Sequence, residues 1–188
     1  VAIEAPAVLG VVLQHDVGVH VGQRAARPVD RHLRMTARAR EDALGEGRRF
    51  GLHERVAFWA DRATTIRERV LREAWNPSRG HFADAFGGER LDASLLLLAD
   101  LGFIAAHDPR FIATVEAIGR DLRRGDALFR YIAADDFGTP ETSFTICTFW
   151  YIDALAAIGR RDEARVMFEG LLSRRNPLGL LWEDLAFD

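Results

Sequence analysis

The sequence predicts an all-α chain of helical hairpins joined by loops, and two observations lead there. Apolar residues recur at spacings of three and four in successive segments, and Pro/Gly turn signals punctuate those segments. The first segment, over roughly 52–74, carries Val56, Trp59, Ala63, Ile66 and Val70 on one side. Arg55, Arg62, Arg67, Glu68 and Arg69 mostly fill its wet side. Trp75 to Gly80 stops it, with Pro77 and Gly80 as turn residues. His81 to Gly88 reads as a short extended or hairpin piece.

Arg90-Leu91-Asp92-Ala93-Ser94 then leads into Leu95 to Leu98, and the pattern predicts a helix to about Ala106. Four consecutive leucines make that helix apolar nearly all round, so other helices must enclose it. Asp92 stands at its N-cap position, where a carboxylate accepts first-turn N–H groups. A polar, capped end held against a deep core can form a pocket rim. Asp108-Pro109 opens the next helix by N-cap and N1 proline, with Phe111, Ile112, Val115, Ile118 and Leu122 as its stripe. Arg123 to Asp126 breaks it, Leu128 to Tyr131 reads as extended, and residues 132–142 as an acidic loop. Ser143 to Ile158 is predicted as a long apolar helix stopped by Gly159, and a shorter helix runs from about Asp162 to Arg174. The last stretch, Leu178 to Asp184, is a loop with two carboxylates beside Trp182. Longer loops gathered at one end of a helix array are where such proteins keep their sites.

Residues 1–49 differ from the rest. All 18 aromatic residues lie from Phe50 onward, and the first 49 positions sustain no period. All 25 basic residues of the chain are arginine, which suggests a GC-rich gene. Two readings of residues 1–49 follow: a poorly structured arm, or a stretch translated in the wrong frame, which this Arg/Ala/Gly/Val mixture favours. The organisation predicted is therefore an irregular segment 1–49 and a helical domain 50–188.

A formal net charge of −3 with 28% charged residues gives no electrostatic case for nucleic acid or an anionic membrane. No apolar stretch reaches the ~18 residues of a membrane span, and the start makes a poor signal peptide, which favours the cytoplasm. The single cysteine, Cys147, excludes an internal disulfide and reads as a buried thiol. The six histidines lack ligand spacing, and there is neither a phosphate loop nor a nucleophile elbow, so no metal and no cofactor are expected. What remains is carboxylates with aromatics: Asp92, Asp135, Asp136, Glu141 and Trp182-Glu183-Asp184. Sugars are bound by such a mixture, because a pyranose offers hydroxyls to carboxylates and a C–H face to rings. Solvated loop acids account for the same residues.

From about Gly51 the sequence resembles glycoside hydrolase family 15, the glucoamylases, glucodextranases and bacterial trehalases. The resemblance rests on blocks in order: Trp75-Asn76 with Gly80-His81-Phe82, Leu91 to Leu97, Gly102-Phe103 with Asp108-Pro109-Arg110, and Thr114 to Ile118. Arg130-Tyr131, Cys147 to Trp150, Asp153 to Ala156, Gly159-Arg160, Glu163 to Arg165 and Asn176 to Leu181 follow. It implies part of an (α/α)6 toroid, and an inverting exo-acting hydrolase of α-linked gluco-oligosaccharides or trehalose. The family's general base lies in a Gly-Leu-Leu-Ser-Glu-Glu-like loop, and Gly179 to Asp184 is similar to it with Glu183 at the base position. Trp182 stands where the family has a small residue, and Asp184 where it has Glu or Gln, which bears on access to Glu183. Asp92, Arg130 and Glu141 are the sugar-binding residues the resemblance implies, and Trp182, an aromatic beside the carboxylates, is a further candidate for binding. An N-cap role for Asp92, a loop salt bridge for Arg130 and a solvated acid for Glu141 stand as alternatives. The family's general acid should precede the helix at residue 52, in a Gly-Ile-Trp-Glu-like loop. Nothing in residues 1–49 is similar to that loop, so this chain alone is expected to be inactive, and to self-associate through exposed helix faces. The competing reading is a non-catalytic α-helical module that binds sugar or a protein partner.

Overall fold

A computed structural model describes residues 53–136 and 138–186, together with Gly45, Arg49 and Gly51. The expectations for residues 1–49 therefore lie almost wholly outside the described residues. Within them the chain is helical, with short two-stranded ribbons at the loops. Four long helices carry the architecture: α1 (His53–Glu73), α3 (Pro109–Asp121), α4 (Thr145–Ala157) and α5 (Arg161–Ser173). The single-turn α2 (Leu97–Asp100) lies between the first two of these.

Periodicity places the helices because each must bury its apolar stripe. Phe111, Val115 and Ile118 of α3 are fully buried, with Cys147 and Leu155 of α4 and Leu171 of α5 in the same core. Helix α4 packs most extensively along α5, and the Phe149 and Phe168 rings meet edge-on at 6.3 Å. Arg123 ties the start of the third ribbon strand to α5, its guanidinium 2.8 Å from the Glu163 carboxylate. Helix α1 departs from its predicted stripe. Ala63 and Val70 are buried, but Trp59 is half exposed and stacks edge-on against the equally exposed Phe58.

Asp108 caps α3 as expected, accepting from the Arg110 N–H at 2.9 Å with Pro109 in the first turn. The leucine segment is shorter than predicted. Ala93–Leu96 forms a 3-10 turn, α2 adds one α-turn, and Leu101 and Gly102 end it, with Gly102 at φ 65°. A left-handed residue there halts the helix, and the chain then turns through residues 103–107 into α3. Leu95, Leu96 and Leu98 are nonetheless buried, as the leucine run requires.

Three ribbons form at the loops; the extended readings of His81 and of Leu128 fall in two of them, and their other strands replace segments expected to be turn, loop or helix. Strand β1 (Trp75–Asn76) pairs antiparallel with β2 (His81–Phe82), so the predicted stop signal is itself half of a hairpin. Asn76 builds its turn, since its side-chain oxygen accepts from the N–H groups of Ser78 and Arg79. Strand β3 (Arg123–Arg124) pairs with β4 (Ala127–Leu128) around Gly125. The third ribbon joins β5 (Thr142–Phe144) to β6 (Asp184–Ala186). Ser143 and Phe144 thus belong to a strand, and α4 begins at Thr145 rather than Ser143.

Candidate active site

The N-terminal end of α4 gathers the predicted residues. Asp92 is buried and caps the 3-10 turn, its Oδ1 accepting from the Ser94 N–H at 2.9 Å. Its second oxygen lies 3.6 Å from Arg130 Nε, and the Arg130 carbonyl accepts from the Ala93 N–H at 2.8 Å. Both alternatives for these residues are therefore realised: Asp92 is a cap and Arg130 is its salt-bridge partner. The Arg130 side chain is about one-third exposed. An ion pair with a buried carboxylate on one side holds this part-exposed arginine beside the capped turn.

The first turn of α4 connects this pair to the carboxylate loop. Cys147 senses the charges of both Asp92 and Arg130, and burial together with the Asp92 charge pushes its thiol well above the ordinary range. Thr148 Oγ1 accepts from the Leu128 N–H at 3.1 Å, two residues ahead of Arg130. Thr145, one turn back, donates its N–H to the Glu183 carbonyl at 2.8 Å. So Asp92, Arg130 and Glu183 reach one helix end from three distant parts of the chain.

Glu183 itself is exposed, as are Trp182 and Asp184 on either side. Its loop is shaped from Asn176, whose side-chain oxygen accepts from the N–H groups of Leu178 and Leu180. The Asn176 N–H donates to the Leu180 carbonyl, and Gly179 takes φ 79°, a conformation that glycine adopts without a Cβ clash. On its far side the loop enters β6, where Phe144 faces Asp184 and Ser143 faces Leu185. Ser143, buried, donates its hydroxyl to the Leu185 carbonyl at 2.9 Å. Asn176 and Ser143 escaped the sequence reading as site-builders. For Asn176 the Asn-Pro-Leu-Gly turn was a usable signal, whereas for Ser143 the sequence gave none.

Glu141 does not join this group. The register puts it beyond the opposite end of the ribbon from Glu183, about 13 Å away along a strand rising ~3.3 Å per residue. It is exposed, in keeping with a solvated acid. Trp182 is 65% exposed, and Leu178 and Leu180 of the same loop are exposed as well. Among the described residues no group of His, Cys, Asp and Glu could hold a metal ion, and no helix is long and apolar enough to cross a membrane.

Comparison with known proteins bears on this arrangement. Residues 32–177 match the profile of glycosyl hydrolases family 15. The chain belongs to that family. The match starts ahead of Gly51, so it takes in part of the aromatic-free segment. A trehalase of Thermoplasma volcanium is 33% identical over 152 residues, 80% of this chain and 24% of that protein. A trehalase of Mycobacterium tuberculosis is 38% identical over 130 residues, 68% of this chain and 19% of its own length. The chain thus spans about a quarter or less of these curated relatives. Among solved structures, a glycosidase Glu-to-Ala variant in complex with glucose superposes with a TM-score of 0.74 at 19% identity, covering 87% of this chain and 43% of that one. The helical architecture seen here is therefore one shared with a glycosidase.

Proposed function

We propose that this chain is the base-bearing part of an inverting, exo-acting α-glucoside hydrolase of the trehalase type, with trehalose as its substrate. The observation that carries this reading is the likeness to proteins named trehalase, over four-fifths of the chain in the first of them. Sequence alone left starch oligosaccharides, dextrans and trehalose equal, and those names favour trehalose.

In this reading Glu183 is the general base. An inverting site needs a carboxylate that takes a proton from water on the face opposite the leaving group, and a separate acid that protonates the glycosidic oxygen. The two carboxyls stand roughly 6.5–9.5 Å apart to leave room for the water. Glu183 suits the first role because its loop is fixed at both ends while its side chain stays wet. Arg130 offers N–H donors to sugar hydroxyls at the same helix end, held by buried Asp92. Trp182 supplies an apolar face for a pyranose. Glu141, across the ribbon, contributes only to an outer part of the binding surface. The acid comes from outside the stretch described, so this polypeptide alone binds sugar without turning it over. Loss of general-acid assistance costs typically ~10²–10⁴-fold in rate.

The test is titration calorimetry of the purified chain with trehalose and with maltose, alongside an assay for glucose release. Saturable trehalose binding, tighter than maltose binding and without glucose release, is the expected result. Glucose release at an ordinary turnover rate would overturn the division of acid from base. Equal or tighter binding of maltose would overturn the substrate.

A further inference from the structure

We propose that Ser143 is a positioning residue for Glu183, setting the carboxylate's place through the Leu185 carbonyl. This rests on the reading of Glu183 as a general base, whose placement must be held to within a fraction of an ångström. Most of the loop around Glu183 is exposed, Leu178, Leu180, Trp182 and Glu183 included, and only Leu181 and Leu185 lean on the core. Hydrogen bonds at the loop's ends therefore share with those two side chains in placing Glu183. Upstream, Asn176 fixes the turn. Downstream there are the Thr145 N–H to the Glu183 carbonyl and the Ser143 hydroxyl to the Leu185 carbonyl, at 2.8 and 2.9 Å.

The ribbon that carries these bonds is only three residues long, and two-stranded ribbons of that size are marginal by themselves. Ser143 adds a side-chain bond to it from a fully buried position. Ser143 and Leu185 are directly opposed, and the next pair beyond Phe144 and Asp184 is Thr145 with Glu183. Alternation puts Ser143 and Leu185 on one face of the ribbon, and Thr145 and Glu183 follow at its end, joined by the Thr145 N–H. A shift of β6 against β5 would thus move Glu183 directly. Thr145 Oγ1, at that end, is buried without a hydrogen-bond partner among the described residues. Ser143 holds the strand and Thr145 meets what the strand presents.

Two readouts separate positioning from mere stability. The first is hydrogen exchange at the Thr145 amide in wild type, Ser143→Ala, Ser143→Cys and Ser143→Thr. The second is the affinity of the same proteins for 1-deoxynojirimycin, a cationic glucose mimic, with Glu183→Gln as control. Ser143→Ala should exchange the Thr145 amide about tenfold faster, the worth of one hydrogen bond, while core amides at Leu155 and Leu171 keep their rates. Its affinity for the mimic should fall about tenfold as well. Ser143→Thr should restore both, and Ser143→Cys, a weak donor that keeps the shape, should fall between. Unchanged exchange at Thr145, acceleration at Leu155 and Leu171 alongside it, or unchanged affinity would overturn the positioning role. Failure of the base reading looks different: Glu183→Gln would bind the mimic as wild type does, or no protein would bind it, while the exchange pattern still decides on Ser143.

Discussion

Substituting Gly119 by alanine sets two effects of known sign against each other. Gly119 lies in helix α3, and helix propensity alone says that alanine there should stabilise by about 1 kcal/mol. The packing says otherwise. A Cβ at Gly119 would fall inside hard contact with the Tyr151 hydroxyl, 2.9 Å from its Cζ and 3.4 Å from its Cε2. Tyr151 is 2% exposed on α4, so it cannot swing away into solvent. Overpacking of a tight core costs about 1–3 kcal/mol, and a contact this close belongs at the upper end. The net expectation is destabilisation by about 2 kcal/mol, roughly a 1 M fall in the urea midpoint if m is about 2 kcal/mol/M. Tyr151→Phe removes the clashing oxygen but leaves the ring carbons, so the double variant should recover about half of the loss beyond additivity. Equilibrium urea unfolding of the wild type, both single variants and the double variant measures this directly. A more stable Gly119→Ala, or a coupling within about 0.5 kcal/mol of zero, would refute the packing of α3 on α4.

Three further expectations can be checked on the same material. Asp92→Asn keeps an acceptor for the Ser94 N–H whereas Asp92→Ala does not, so in urea the alanine variant should be the less stable by about 1 kcal/mol; equal stabilities would remove the cap. Asp108 is held below the usual carboxylate range, chiefly by the Arg110 guanidinium hydrogen-bonded to it. Its stabilisation is present above the ordinary Asp range near pH 4 and is lost as pH falls further. Being partly exposed and screened it amounts to no more than about 1 kcal/mol, and Asp108→Asn should flatten the loss of stability between pH 5 and about 2 by that amount. Cys147, buried with its thiol pushed up, should resist iodoacetamide at pH 8 until the chain is unfolded; labelling of the native protein within minutes would contradict its burial.

What the sequence disclosed and what it hid follow from the range of the interactions. Helices α1, α3 and α5 were legible because thirteen or more residues repeat one pattern, α4 because its thirteen residues run apolar nearly all round up to the Gly159 stop, and Asp108-Pro109 announces its own cap. The leucine run misled because leucine serves a 3-10 turn as well as an α-helix, and Gly102 stops the segment before any period is established. The β5–β6 ribbon was invisible. Three residues give no alternation to read, and Ser143 meets Leu185 across 42 positions of chain. For the same reason the Asp92–Arg130 pair could be offered from sequence only as two separate residues. Glu183 and Trp182 were reachable through the glycine-leucine-leucine block, but the means of holding Glu183 were not. Glu141 was grouped with them because its loop position resembles the family's sugar-binding surface, and the ribbon's register carries it to the other end.

The most direct test of Glu183 as the base is calorimetric titration of the 188-residue chain with 1-deoxynojirimycin, wild type against Glu183→Gln. The ring nitrogen of that mimic is protonated and seeks the carboxylate that would face water and the reacting carbon. We expect saturable one-to-one binding that weakens at least about tenfold, the worth of a charge-assisted hydrogen bond, in the variant. Absence of binding by the wild type, or equal affinity in both proteins, would contradict the assignment.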